Sequence, residues 1–192
     1  MTTPAEKYAA AKLRGKHPVT TDFLLTFDFE FDPFQIAACH AVEEGKGVLV
    51  AAPTGAGKTV VGEFAAYFAL QAGKKCFYTT PIKALSNQKY SEFVAKFGED
   101  RVGLLTGDTS INSEAEILVM TTEVLRNMLY AGSNTLTNLG CVVMDEVHYL
   151  ADKFRGAVWE EVLIHLMESV QVISLSATVS NAEEFGEWLG EV

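Results

Sequence analysis

Along the chain, short apolar runs rich in β-branched residues alternate with longer stretches whose apolar positions return every three to four residues. The short runs span 47–52, 76–80, 101–105, 117–121, 141–145 and 172–176. Each is almost continuously apolar, the pattern of a strand buried on both faces. The longer stretches, 34–44, 58–71, 83–97, 122–130, 158–168 and 181–189, carry a helical period. Strands separated by helices predict an α/β fold, a doubly wound and mostly parallel sheet with helices on both faces. In such a sheet ligands collect at the C-terminal ends of the strands. No internal repeat appears, nor any Gly/Ser- or Pro-rich linker after residue 33.

Composition narrows the class. A chain of 192 residues with 48% hydrophobic and 21% charged residues suits one globular domain with a substantial core. No apolar stretch approaches the about 20 residues that cross a bilayer, and the Lys-bearing first thirty residues lack the apolar block of a secretory signal, so a cytoplasmic protein is expected. Cys39, Cys76 and Cys141 sit in apolar runs without a CxxC pair, which predicts reduced core residues and neither disulfide nor zinc site. The net charge of −10 repels nucleic acid in bulk, so binding to a polyanion must be local.

Candidate chemistry begins at the run Val48-Leu49-Val50-Ala51, which leads into Ala52-Pro53-Thr54-Gly55-Ala56-Gly57-Lys58-Thr59 and then a helical stretch. Strand, glycine-bearing turn and helix opening with Lys-Thr form the context of a phosphate loop. Gly55 and Gly57 allow the backbone to turn successive N–H groups inward. Lys58 and the helix N-terminus add positive charge, and the Thr59 hydroxyl can hold Mg²⁺. Ala52 stands where the strict pattern has glycine. A second run, Cys141-Val142-Val143-Met144, ends in Asp145-Glu146. Alternation along a strand sends Asp145 toward the Mg²⁺ and leaves Glu146, at the tip, to face the water attacking the γ-phosphate.

With these residues in place the sequence resembles superfamily-two helicases. Asp145-Glu146-Val147-His148 looks like their DExH box, Ser176-Ala177-Thr178 like the third motif, and Phe34-Gln35 like the adenine-reading glutamine motif. The segments 79–88, 105–108 and 120–126 look like successive backbone-gripping motifs. The resemblance covers about residues 23 to 192 and narrows to the superkiller-like RNA helicases, nearest the actinobacterial HelY type.

The resemblance implies a RecA-like P-loop NTPase domain over 23–192, preceded by a tail or frayed helix over 1–22, with a second RecA-like domain and its arginine finger lying outside this chain. ATP and Mg²⁺ are the implied cofactors. Phe29, Gln35, Ala52, Thr54, Gly55, Ala56, Gly57, Lys58 and Thr59 would bind ATP. Thr59 and Asp145 would hold the metal, and Glu146 would act with Lys58 and Asp145 in hydrolysis. Gln35 carries the donor and acceptor that pair with an adenine edge. Phe27, Phe29 and Phe31 alternate with acids, so one face of an extended segment could offer the Phe29 ring to the base or serve core packing. His148, Ser176 and Thr178 would couple the ATP site to the third motif. Pro81, Ser86, Asn87, Thr106, Gly107 and Thr122 are small neutral groups suited to phosphates, joined by Lys83, Arg126 and Arg155. Single-stranded nucleic acid, RNA ahead of DNA, and the second domain are the expected partners. A DNA helicase or translocase and a non-catalytic nucleotide-binding module stay open. His165 receives no role, and Trp159 belongs to a core stripe.

Overall fold

The computed structural model of the protein describes residues 15–148 and 156–177. Along the chain the elements are α1 (Pro18–Leu24), α2 (Pro33–Glu43), β1 (Val48–Ala51), α3 (Thr59–Gln71), β2 (Lys75–Thr80), α4 (Lys83–Phe97), β3 (Val102–Leu105), β4 (Ser110–Ile111), β5 (Ile117–Thr121), α5 (Thr122–Ala131), β6 (Leu139–Met144), α6 (Gly156–His165) and β7 (Gln171–Ser176). The strands form one seven-stranded sheet in the order β1-β7-β6-β2-β5-β3-β4. Every pairing is parallel except β3 with β4. The six apolar runs therefore become the six parallel strands, and helices cover both faces as expected.

Alternation along each strand builds two cores. Cys76 and Tyr78 of β2, Ile117 and Val119 of β5, Cys141 and Val143 of β6 and Ile173 and Leu175 of β7 face one side, where Phe23, Val42, Phe64 and Phe93 pack on them from α1 to α4. Phe77, Leu118, Met120, Val142 and Met144 face the other side, under Leu125 of α5 and Trp159 and Val162 of α6. Trp159 is thus a core residue. The three cysteines are free and buried. Burial, with the Glu43 charge adding to it, pushes the Cys39 thiol up to about 12.

Three local departures have physical causes. β4 escapes the apolar pattern because it is two exposed residues long; it exists as the return arm of a tight turn in which the Thr106 N–H donates to the Thr109 carbonyl (2.8 Å). Helix α1 runs through the 22/23 division expected from the sequence. The Glu43 carboxylate of α2 accepts from the N–H groups of Val19 (3.0 Å) and Thr20 (2.8 Å) and from the Thr20 hydroxyl (2.6 Å), capping the helix from outside it. Phe23 then inserts against Phe64 and Tyr67, both ring centroids at 5.3 Å. Residues 27–31 form no extended segment. Their three phenyl rings gather edge to face or tilted, with centroids 4.8 to 5.2 Å apart, and Lys96 sits 4.1 Å over Phe27. The helix expected at 181–189 lies outside the described residues.

Candidate functional site

The site starts where β1 ends. The Ala52 N–H donates to the Ser176 carbonyl (3.2 Å), which extends the β1–β7 ladder into the loop. A turn follows, closed by the Ala56 N–H on the Pro53 carbonyl (3.1 Å). Gly55 and Gly57 have φ of 84° and 77°, a region that costs residues with a Cβ about 1 kcal/mol or more. Among the described residues no backbone carbonyl is bonded to the N–H of Gly55, Gly57, Lys58 or Thr59. These donors sit at the mouth of α3, where the helix dipole favours an anion. Lys58 is buried, and its ammonium donates to the carbonyls of Ala52 (2.7 Å) and Pro53 (2.9 Å). Two of its three protons are used on the loop itself, which holds the charge over the turn.

Gln35 lies behind this loop. Its Oε1 accepts from the Asp32 N–H (2.9 Å) as half of the capping box of α2, and its Nε2 donates to the Gly57 carbonyl (3.0 Å). A Cβ at Gly57 would stand 2.5 Å from that Nε2. With both polar atoms engaged and 5% of its surface exposed, Gln35 braces the phosphate loop and does not offer a free amide pair to a base. The residue stands beside the site, with its donor and acceptor engaged in the protein. Phe29 remains 55% exposed on the rim of the aromatic cluster.

The acidic turn closes β6. Asp145 has the parity of Val143 and Cys141, so it stands on the sheet face that carries α3 and Thr59, with one strand between it and β1, a separation of about 9.5 Å. Its N–H donates to the Thr79 carbonyl (2.9 Å), one more rung of the β2–β6 ladder. Its Oδ1 accepts from the Glu146 N–H (2.9 Å) and its Oδ2 from the Tyr78 hydroxyl (2.6 Å). Burial, reinforced by the Asp145 charge, holds the Tyr78 hydroxyl well above the usual phenol range, so it stays a donor. Glu146 has φ of 56°; among the described residues the other non-glycine residues in that region are Asn112 and Asn138, which adopt it easily. A glutamate held there stores of order 1–3 kcal/mol of strain and turns away from the strand direction.

A hydrogen-bonded path joins the turn to the loop. The Ala177 N–H donates to His148 Nδ1 (3.2 Å), and Glu146 Oε2 lies 3.2 Å from the same nitrogen. One nitrogen cannot accept from Ala177 and donate to Glu146 at once. The two contacts are therefore alternatives at one nitrogen, and which is made depends on whether Nδ1 carries the proton. Ser176, one residue earlier, holds Ala52. Thr178 and Arg155 lie outside the described residues.

The nucleic-acid candidates divide in two. Pro81, Lys83, Asn87, Gly107 and Arg126 reach the surface or lie partly buried. Ser86 and Thr122 do not: Ser86 is fully buried with its hydroxyl 2.7 Å from that of Thr80, and the Thr122 hydroxyl donates to the Thr80 carbonyl (3.3 Å). These hydroxyls tie the starts of α4 and α5 to the end of β2 and are not turned outward. Thr106 is also buried, and its hydroxyl donates to Asp108 Oδ1 (3.2 Å). Asp108 pairs with Lys83 as well, and hydrogen bonds from Lys83 and Thr106 hold its carboxyl below the usual range. Arg126 pairs with Glu161 (3.6 Å). His165 is exposed, with the Tyr130 ring 4.9 Å away.

Neither the pairing of Tyr78 nor the bracing by Gln35 follows from the sequence pattern. A tyrosine in a buried strand was the available signal, because its hydroxyl must find a partner there.

The metal question can be put to the donor set. Among the described residues no cluster of three His, Cys, Asp or Glu side chains could hold an ion, and no helix is long and apolar enough to cross a membrane. One hydroxyl from Thr59 and one carboxylate from Asp145, on a shared face beside a run of anion-seeking N–H groups, suit Mg²⁺, which takes few protein ligands and completes its shell with phosphate and water.

The family model for DEAD/DEAH box helicases matches residues 32–185. The chain belongs to this family. Probable helicase HelY of Mycobacterium tuberculosis is 64% identical over 170 residues, covering 88% of this chain and 19% of that protein. The chloroplastic DExH-box ATP-dependent RNA helicase DExH15 of Arabidopsis thaliana is 50% identical over 185 residues, 93% of this chain and 16% of its own. Among solved structures, the Mycobacterium smegmatis helicase Lhr bound to ssDNA and AMP-PNP superposes with a TM-score of 0.64 at 30% identity, over 84% of this chain and 24% of that one. This helicase domain therefore spans about a fifth or less of the curated relatives it matches. The fold is that of their RecA-like helicase domain, and the chain is homologous to ATP-dependent RNA helicases.

Proposed function

We propose that this domain binds ATP with Mg²⁺ at residues 52–59 and hydrolyses it at the Asp145-Glu146 turn, as the first half of an RNA helicase motor. The observation that carries the reading is the shared edge: a glycine-turned loop whose N–H groups have no bonded backbone carbonyl among the described residues and an acidic turn stand with one strand between them and are joined through Ser176, Ala177 and His148. The N–H groups of Gly55, Gly57, Lys58 and Thr59 cradle phosphate oxygens, and Lys58 exchanges its bonds to Ala52 and Pro53 for the β- and γ-phosphates. Ala52, Thr54 and Ala56 line the loop, Gln35 keeps it in shape, and Phe29 offers a ring to the base. Thr59 and Asp145 would hold Mg²⁺, which, when bound, supplies charge for the developing negative oxygens. Glu146 orients the attacking water and takes its proton. His148 moves between its two partners as the third motif shifts.

Pro81, Lys83, Asn87, Gly107, Arg126 and Arg155 would hold a single strand through its backbone, over a base set by Ser86, Thr106 and Thr122. RNA is favoured because relatives such as DExH15 of Arabidopsis thaliana and mtr4 of Schizosaccharomyces pombe are named RNA helicases; the ssDNA-bound Lhr supports the alternative of DNA. A second RecA-like domain would contribute the arginine finger, worth about 10³ to 10⁵ in rate. A cytoplasmic setting goes with the three free cysteines.

Glu146→Gln should retain ATP·Mg²⁺ affinity in calorimetry and lose at least about 10² in turnover, while Lys58→Ala weakens both. Full turnover in the glutamine variant would refute the hydrolytic role. Comparing ATPase stimulation by matched RNA and DNA strands decides the substrate.

A further inference from the structure

β2 is buried on both faces, yet it carries one hydroxyl-bearing ring among its apolar residues. Tyr78 is 0% exposed, lies within the core of the α3 face, and aims its hydroxyl at Asp145 Oδ2 at 2.6 Å. The ring has no freedom to do otherwise. Phe93 packs on its edge at 5.0 Å between centroids, Lys89 lies 5.6 Å over its face, and Gly62 of α3 approaches so closely that a Cβ there would stand 2.8 Å from Cε2. Gly62 is three residues, about one helical turn, beyond Thr59. The ring therefore spans the gap between the helix that begins with Thr59 and the carboxylate on β6.

The Asp145 carboxylate meets two fixed donors from different directions. The Glu146 N–H holds Oδ1 at 2.9 Å and the Tyr78 hydroxyl holds Oδ2. Each oxygen keeps a lone pair, and rotation about the Cβ–Cγ bond would break both bonds. A Mg²⁺ site with only two protein ligands depends on those ligands being aimed before the ion arrives, because its octahedral geometry tolerates little error.

We propose that Tyr78 is the positioning residue for the metal-binding carboxylate, fixing Asp145 at the distance and angle that a cation seated by Thr59 requires. It touches neither metal nor nucleotide and acts through Asp145 alone. The inference rests on the reading of Asp145 as a metal ligand, and the test separates the two.

The test is a Mg²⁺ titration of the chain in the presence of a non-hydrolysable ATP analogue, followed by calorimetry, with Mn²⁺ and electron paramagnetic resonance as a direct count of bound ion. Tyr78→Phe keeps the ring and removes only the donor. The expected result is a rise of about tenfold in the Mg²⁺ concentration for half-saturation, the lower end of the loss seen when such supporting groups are removed. Analogue affinity in EDTA should be unchanged, and the Mn²⁺ signal should lose affinity by the same factor. Equal losses with and without metal would mean that Tyr78 merely supports the core, and would overturn the proposal. Asp145→Asn is the control: if it abolishes the metal dependence and Tyr78→Phe leaves it untouched, the positioning role fails and the metal site stands. If Asp145→Asn leaves the dependence intact, the metal reading falls and the proposal falls with it.

Discussion

Buried polar side chains do unequal work in this domain, and their partners tell which work it is. Gln35, Ser86 and Thr122 each place a side chain where the resemblance to helicases implies direct ligand contact, and each spends its polar atoms inside the protein. Gln35→Ala should therefore lower the affinity for ADP and ATP together, by releasing the loop at Gly57, and cost about 1 kcal/mol of stability through the lost capping box. A nucleotide titration and a denaturant melt read the two effects. Selectivity for adenine lost with no change in stability would contradict the brace. The Cys39 thiol gives a pH signature. Folded, it keeps its proton to about 12, whereas unfolded it ionises at 9.0. The unfolded state thus binds fewer protons between those limits, so stability falls as pH rises above 9 and is unaffected below. The slope from this one group reaches at most about 1.4 kcal/mol per pH unit and should vanish in Cys39→Ala, measured as the difference between the two melts.

Helix α3 packs on the sheet without room to spare at Gly62, where an added Cβ would also meet Val143 at 3.1 Å and Leu175 at 3.3 Å. Gly62→Ala should destabilise the domain by about 1–3 kcal/mol by overpacking, although alanine is the better helix former. A rise in melting temperature would show that the helix can lift away. At this scale the sequence was most legible. Parallel strands buried on two faces must be apolar throughout, and the six runs advertise themselves for that reason. What escaped was held by few residues: β4 by one turn, α1 by a carboxylate at residue 43 that no local pattern connects to residue 19 or 20. The site shows the same division. Gly55, Gly57, Lys58 and the Asp145-Glu146 pair stand out as candidates because their pattern is local. The inward direction of Ser86 and Thr122 depends on Thr80, and the engagement of Tyr78 on a residue 67 positions away, so neither could be read from spacing.

The molecule as a whole carries a charge of −10, yet the proposed function asks it to hold a polyanion. The two described cations at that edge, Lys83 and Arg126, are already paired with Asp108 and Glu161. Binding should therefore draw on backbone N–H groups and the Asn87 amide and release few counterions. The slope of log affinity against log salt for a single-stranded RNA should have a magnitude below about 2. Fluorescence anisotropy across salt concentrations checks this, and a slope near 5 would point to a basic surface the described residues do not contain. β2 brings the two ends of the machine together. Tyr78 and Thr80 project from the same side with one residue between them, about 6.6 Å along the strand. The first steadies the acidic turn, and the second anchors the starts of α4 and α5. On the proposed reading, nucleotide and strand are registered against one stiff rail, so an insertion between Tyr78 and Thr80 should put the two sites out of step where a point substitution would not.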